Sequence, residues 1–293
     1  MRSVDDEGSV LVTGACGHVG RAVCDLLRSR GRLILPLDIN PDPATDVVRC
    51  DLTSTGEVSR LFRHHSIRAV IHLAGVLPSA FQSDPLRGAE VNLGGSFAIM
   101  RQAADARVNR FVFASSMSVY GSRGTPRPLK EDDSAVPDEP YGASKRAVEL
   151  IGETLSDRTA LQFVALRIAR VVGPGIRKTA SPWRSQIFEP PRPAIHIPFS
   201  PEATLSLVHV EDVARMLVAL ADVASTSCVL YNTPAEVWKA RQLKHVVEEL
   251  RSIPVELGEA QGGPICDGNR FAREFRYRPR RLRDYFSDSL RHR

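Results

Sequence analysis

The sequence predicts an α/β fold, a doubly wound parallel sheet with a small C-terminal lobe. Three observations carry that expectation. Up to Gly173 the chain alternates short apolar runs with longer amphipathic stretches, the rhythm of a parallel sheet covered on both faces. The run Val10-Leu11-Val12 feeds a turn with glycines at 14, 17 and 20, and a helical stretch follows it. After Gly173 the rhythm breaks: Pro174, Pro182, Pro190, Pro191, Pro193, Pro198 and Pro201 crowd a segment that cannot be regular helix.

In chain order, strands are expected at 9–13, 32–38, 46–50, 69–74, 110–115, 162–168 and 228–231. Helices are expected at 19–30, 54–64, 85–107 and 141–156, with one more over 210–221. Right-handed crossovers would place helices on both faces and a ligand at the carboxyl ends of the strands. Residues 1–172 form the large domain, to which the strand and helix near 205–233 return. Residues 173–204 and 234–293 form the lobe over the cleft.

At 293 residues and 43% hydrophobic, the chain buries a substantial core. No run approaches a membrane span, and Met1-Arg-Ser-Val-Asp-Asp-Glu7 lacks the apolar stretch of a signal peptide. Cys16, Cys24, Cys50, Cys228 and Cys266 are scattered, without a Cys-x-x-Cys. That argues for a reducing cytoplasm and against a disulfide framework or a metal site. The net charge of +5 is concentrated at the end, where residues 270–293 hold nine Arg and three acids. That tail carries no nucleic-acid motif, and Phe271, Phe275, Tyr277, Tyr285 and Phe286 read as packing residues. A solvated helix face is expected there, with neither nucleic acid nor membrane as a partner.

The glycine turn has the context of a phosphate site: a strand before it, a helix after it, and backbone able to approach a pyrophosphate. Asp38 ends the second strand, where a carboxylate accepts hydrogen bonds from both ribose hydroxyls and repels a 2′-phosphate. NAD is therefore expected in preference to NADP, although Arg21 and Arg49 are cations able to offset that repulsion. The stretch Tyr141-Gly-Ala-Ser-Lys145 puts a phenol and an ammonium one helical turn apart on one face. An ammonium beside a phenol favours the phenolate, which would bring a group of ordinary pKa ~10 toward neutrality. With a hydroxyl from Ser115-Ser116 and a dinucleotide, this is equipment for alcohol–ketone interconversion.

These motifs resemble the extended short-chain dehydrogenase/reductase family, its NAD-dependent epimerase/dehydratase group, over nearly the whole chain. Gly14, Gly17 and Gly20 have the family's spacing, with His18 and Val19 between them, and Ile39 follows the ribose acid Asp38. Asp51-Leu52 is similar to the adenine-contacting pair, and His72-Leu73-Ala74-Gly75 to the loop after the fourth strand. Asn92 sits where the family has its central-helix Asn. Ser115-Ser116-x-x-Val119-Tyr120-Gly121 and Tyr141-x-x-x-Lys145 supply the catalytic group. Leu166-Arg167-Ile168-Ala169-Arg170 through Gly175 and Val208-His209-Val-Glu-Asp212 resemble two later signatures.

The resemblance implies a Rossmann-type domain with a substrate-binding lobe, NAD as cofactor and a homodimer formed through helices near 90–106 and 141–156. It implies Tyr141 as acid/base, Lys145 as holder of the nicotinamide ribose and depressant of the Tyr pKa, and Ser116 as partner of the reacting oxygen. Ile168 joins the cofactor set, and Ser116, Met117, Ser118, Arg170 and Arg177 the substrate set. His72 and His209, in apolar strand contexts, are read as structural.

Departures narrow the reaction. Family members that dehydrate or decarboxylate carry acids just after the catalytic Ser/Thr, where this chain has Met117 and Ser118. Neither can do a carboxylate's proton transfer. Hydride transfer remains, as a nucleotide-sugar 4-epimerase or 4-ketoreductase. The alternative is a dehydrogenase of a small hydroxy acid or specialised alcohol, and the outlying reading a non-catalytic NAD sensor. Leu205-Ser206-Leu207 stands where nucleotide-sugar enzymes often carry a diphosphate Arg. Arg170, Arg177, Lys178, Arg184 and the Arg-rich tail are instead able to supply contacts to a diphosphate or a carboxylate.

Overall fold

The computed structural model describes residues 8–176, 181–189 and 193–291. Its strands are β1 (Ser9–Thr13), β2 (Ile34–Asp38), β3 (Val48–Arg49), β4 (Ile67–His72), β5 (Arg110–Ser116), β6 (Gln162–Ile168), β7 (Arg170–Val172), β8 (Ile195–Phe199), β9 (Thr204–His209), β10 (Leu230–Asn232), β11 (Glu236–Lys239) and β12 (Val255–Ala260). The helices are α1 (His18–Ser29), α2 (Thr55–His64), α3 (Pro78–Ser83), α4 (Pro85–Ala89), α5 (Ser96–Asp105), α6 (Pro140–Arg158), α7 (Trp183–Gln186), α8 (Val210–Asp222), α9 (Ala240–Arg251), α10 (Asn269–Glu274) and α11 (Leu282–Arg291). No helix among the described residues is long and apolar enough to cross a membrane.

Seven strands form one sheet in the order β10-β6-β5-β4-β1-β2-β3, every neighbouring pair parallel. The near-continuous apolar runs of β1, β4, β5 and β6 are what burial on both faces demands. Val10, Val12, Ala69, Ile71, Val112, Val164 and Leu166 face one core with α1 and α8. Leu11, Val70, Phe111, Phe113, Phe163 and Ala165 face the other, which holds Val58 of α2, Ile99 of α5 and Val148 of α6. Each fully buried Val, Leu or Phe contributes roughly 1.5–3 kcal/mol, so the alternation fixes the strand register. While Val148 points inward, Leu150 and Ile151 on the same helix are 47% and 49% exposed. The homodimer expected through this helix would rest on those two side chains.

The lobe is built on two small sheets, β11-β9-β7 and β12-β8, around Trp183, Phe188, Phe199, Leu205, Leu243 and Phe286. Its boundary differs from the expected division: β7 and β9, expected with the large domain, pair into the lobe's sheet beside β11. Cys266 and Phe271 are buried in the core of the large sheet beside α8, with Phe275 and Tyr277 packed against it. The reason is apolar: Phe271 stacks on Phe275 at 4.4 Å and meets Tyr231 of β10 edge-on at 5.9 Å. The helix expected at 85–107 is also interrupted, by a π segment at Glu90–Gly95.

Candidate active site

Asp38, Ser116 and Ile168 are the last residues of β2, β5 and β6, and Gly14 and Leu73 follow β1 and β4 directly. All five therefore line the carboxyl edge of the sheet, where strand order reverses between β4 and β1 and a crevice opens. At that point the backbones meet. Gly14 has φ +69°, and a Cβ on it would stand 2.8 Å from the Ala74 nitrogen. A Cβ on Gly20 would strike the Gly14 carbonyl. Only glycine permits this turn. It leads into α1, whose first amides have no side-chain cap, with Gly17 at the N-cap. His18 Nε2 is buried there without a partner. A cradle closed to side chains, with free amides and an orphaned imidazole nitrogen, fits a dinucleotide pyrophosphate.

The Asp38 carboxylate accepts from the Cys16 amide at 3.0 Å through one oxygen and from the Asn40 amide at 3.1 Å through the other. Each oxygen keeps a lone pair for a ribose hydroxyl. Ile39 beside it is 39% exposed. The two cations able to favour a 2′-phosphate are engaged elsewhere. Arg21 donates to the carbonyls of Cys16 and Gly175, and Arg49 stands 3.8 Å from Glu57. Past β3, Asp51 accepts from the Thr53 amide and hydroxyl, and Leu52 is buried against Gly95.

A hydrogen-bond relay sets the loop Leu73-Ala74-Gly75. The Thr13 hydroxyl accepts the Leu73 and Ala74 amides at 3.1 Å each and meets His72 Nδ1 at 2.7 Å. His72 Nε2 meets Ser96 Oγ at 2.9 Å, and Ser96 donates to the Asn92 carbonyl at 2.6 Å. Burial, aided by the Lys145 charge, pushes His72 down to about 3, so the ring is neutral. One direction of bonds then satisfies the relay: Thr13 Oγ–H donates to Nδ1, and Nε2–H donates to Ser96. Asn92, within the π segment, accepts the Val76 amide at 2.7 Å and donates to the Val76 carbonyl at 3.0 Å. The extra residue of the π turn sits where that amide side chain reaches across to the loop. His209 is likewise neutral and buried, stacked on Tyr285 at 3.6 Å and pushed down to about 3.

Ser116, Tyr141 and Lys145 converge. The Ser116 hydroxyl lies close enough to the Tyr141 phenol to favour its ionised form, and it accepts the Ser118 amide at 3.1 Å. Gly142 makes the approach possible, since a Cβ there would run into the Ser118 carbonyl. Lys145 Nζ donates to the Ala114 carbonyl at 2.9 Å and lies over the rings of Phe113 and Tyr141, 4.7 and 5.7 Å from their centroids.

The electrostatics differ from the sequence expectation. Burial pushes Tyr141 up to about 12; the Ser116 hydroxyl and the Arg184 guanidinium pull the other way, and Lys145 is not among the groups lowering it. The reason is geometric: the ammonium serves the Ala114 carbonyl and the ring face rather than the phenol oxygen. Lys145 itself is pushed down to about 8 by burial, partly offset by Glu149.

On the substrate side, Met117 is buried with its sulfur 3.3 Å from Cys266 Sγ, and Ser118 spends its amide and carbonyl on the turn. Arg170 stacks on Phe199 at 4.6 Å. Arg177 lies outside the described residues, as does Lys178. Arg184, named from sequence only as one of several cations for a substrate anion, also exerts its charge on Tyr141. A cavity of about 460 Å³ opens at His18, Arg21, Gly175 and Arg215, and neither Ser116 nor Tyr141 lines it.

A profile of the NAD dependent epimerase/dehydratase family matches residues 10–230. The chain belongs to that family. It is 29% identical over 176 residues to the UDP-glucose 4-epimerase of Lacticaseibacillus casei, covering 56% of this chain and 52% of that protein. It is 32% identical over 171 residues to the L-arabinose 1-dehydrogenase (NAD(P)(+)) of Haloferax volcanii, covering 54% and 65%. The solved structure of MoeE5 in complex with UDP-glucose and NAD has a TM-score of 0.83 at 27% identity, covering 97% of this chain and 99% of that one. The matched region thus spans about half to two thirds of the two sequence relatives' own lengths. NAD is the cofactor of this family, and the glycine cradle with Asp38 fits it.

Proposed function

We propose that this family member transfers hydride at a secondary alcohol or ketone of a sugar, as a nucleotide-sugar 4-epimerase or 4-ketoreductase. The observation that carries the reading is the convergence of Ser116, Tyr141 and Lys145 at the strand ends where the glycine cradle opens. Gly14, Gly17 and Gly20 with the amides of α1 would hold the pyrophosphate, Asp38 a ribose, and Asn92 would steady the loop beside the nicotinamide. Bound there, NAD supplies the hydride acceptor and donor. Tyr141 is the proton-transfer group: its phenol gives a proton to a ketone oxygen or, as phenolate, takes one from a carbinol. Ser116 hydrogen-bonds the same oxygen and directs it at Tyr141. Met117 and Ser118 leave no carboxylate to carry out an elimination.

Tyr141→Phe removes the proton and leaves the ring, so turnover should fall by about 100- to 10 000-fold. NAD affinity, read by isothermal titration, should be nearly unchanged. A variant that turns over like wild type would sink the assignment. The second reading, a dehydrogenase of a small hydroxy acid, draws on one observation, the pair of cations Arg170 and Arg184. Net NADH formation with a non-nucleotide acid would establish it in place of the first.

A further inference from the structure

Arg21 stands in the first turn of α1, directly after the last glycine of the cradle. A cation in that turn faces the positive end of the helix dipole, an unfavourable place unless other groups hold it. Two backbone carbonyls from distant parts of the chain do so. One Nη donates to the Cys16 carbonyl inside the glycine turn, and the other to the Gly175 carbonyl at 2.7 Å, 154 residues further along. Each end is fixed in its turn. The Cys16 amide donates to Asp38, and the Gly17 amide to the Gly14 carbonyl at 3.0 Å, so both sides of the peptide that meets Arg21 are held. At the far end, Gly173 N–H donates to the Arg184 carbonyl at 3.1 Å and Ile176 N–H to the Ser185 hydroxyl at 3.4 Å. Both acceptors lie on α7, whose Trp183 is buried in the lobe core. Among the described residues, Arg21 makes the one hydrogen-bonded link from the glycine turn and α1 to the lobe. It borders a cavity of about 460 Å³ between α1 and α8, so no side chain is packed where it could take over that link.

A guanidinium suits this task because its donors are fixed in one plane and no accessible pH removes them. We propose that Arg21 is a positioning residue that ties the cofactor cradle to the loop 173–176, and through that loop to α7, so that NAD seated on the cradle steadies the near side of the lobe. Arg21 meets neither Tyr141 nor Ser116; it acts by holding backbone at both ends. The inference rests on NAD binding at the glycine turn and not on which alcohol is turned over. It gives the residue a role that the glycine spacing does not require, since the cradle is closed to side chains by Gly14 and Gly20 alone.

The test is hydrogen–deuterium exchange at the amides of Gly173, Gly175 and Ile176, with and without saturating NAD. In wild type NAD should slow exchange there; in Arg21→Met, at NAD concentrations that saturate the variant, the slowing should be lost. NAD affinity, read by isothermal titration, should fall about tenfold, the size of one charge-assisted hydrogen bond to the turn. Arg21→Lys keeps the charge and reaches one carbonyl, so it should lie between the two, and it serves if the Met variant fails to fold. Gly175→Ala strains a φ of +80° with nothing near the new methyl, and so moves the lobe end of the tie while the cradle keeps its residues. If both substitutions act through one contact, the double variant should bind NAD no more weakly than Arg21→Met alone. A folded Arg21→Met that still passes NAD protection to the loop overturns the proposal. So do losses that add in the double variant, full recovery in Arg21→Lys, and a wild type whose loop is indifferent to NAD. None of these readouts needs a substrate. A chain that couples NAD to the loop but interconverts no alcohol and ketone keeps the tie and loses only the hydride reading.

Discussion

Arg167 and Arg170 are three residues apart, one near the end of β6 and the other opening β7, and the fold surrounds them in opposite ways. Arg167 is 1% exposed. Its guanidinium holds both oxygens of Glu149, at 2.9 and 2.8 Å, the Tyr120 hydroxyl at 2.6 Å and the Glu131 carbonyl at 3.2 Å. Ser115 donates to the same carboxylate at 2.6 Å, and Arg146 adds a contact at 3.0 Å. That network pins α6 to β5 and β6 one turn beyond Lys145. Arg170 has an aromatic face and a neighbouring cation instead. A buried charge fully matched by its own chain is part of the framework. Arg170, with an aromatic face and a cation in place of a carboxylate, stands outside that framework.

The contrast can be broken most severely at Glu149. Removing one partner of a buried ion pair leaves the other uncompensated, and Glu149→Gln should cost about 3–5 kcal/mol in urea denaturation. A loss well below 1 kcal/mol would mean the Arg167 network is not structural.

A second probe asks what acid does to groups buried neutral. His72 sits near 3 when folded against an ordinary 6.5, so between those values the unfolded chain binds the extra proton. Its contribution to stability is complete above 6.5 and is lost as pH falls toward 3. By pH 5 the cost from this residue is about 2 kcal/mol. His209, also near 3, and His18, near 4, act in the same direction. The melting temperature should fall on acidification from pH 7, and His72→Asn should flatten the slope. A melt flat between pH 7 and 5 would contradict the neutral relay from Thr13 to Asn92.

The smallest stability effect is expected at Arg170. Arg170→Met removes an unpaired charge and one contact with Phe199, and should change stability by no more than about 1 kcal/mol in either direction. Destabilisation on the scale of Glu149→Gln would make Arg170 a framework residue and erase its difference from Arg167.

Much of the nucleotide-binding half was legible because its signals are local. The three glycines mark a turn whose backbones touch, Asp38 follows from the length of β2, and the strands declare themselves as uninterrupted apolar runs. The π turn at Glu90–Gly95 was not legible, because it serves a contact between Asn92 and Val76, sixteen residues apart. Nor was the packing of 266–277 on the large core, which depends on Phe271 finding Tyr231.

By itself the sequence determined the fold class, the cradle and the pairing of Tyr141 with Lys145 on one helix face. Periodicity and spacing act over one or two turns and are written in neighbouring residues. Tertiary structure alone decided which charge acts on which group. Lys145 serves the Ala114 carbonyl while Arg184, forty-three residues from Tyr141 in the chain, lowers its pKa. Coulombic energy depends on distance and burial in space, and neither is fixed until strands and lobe have closed around the site.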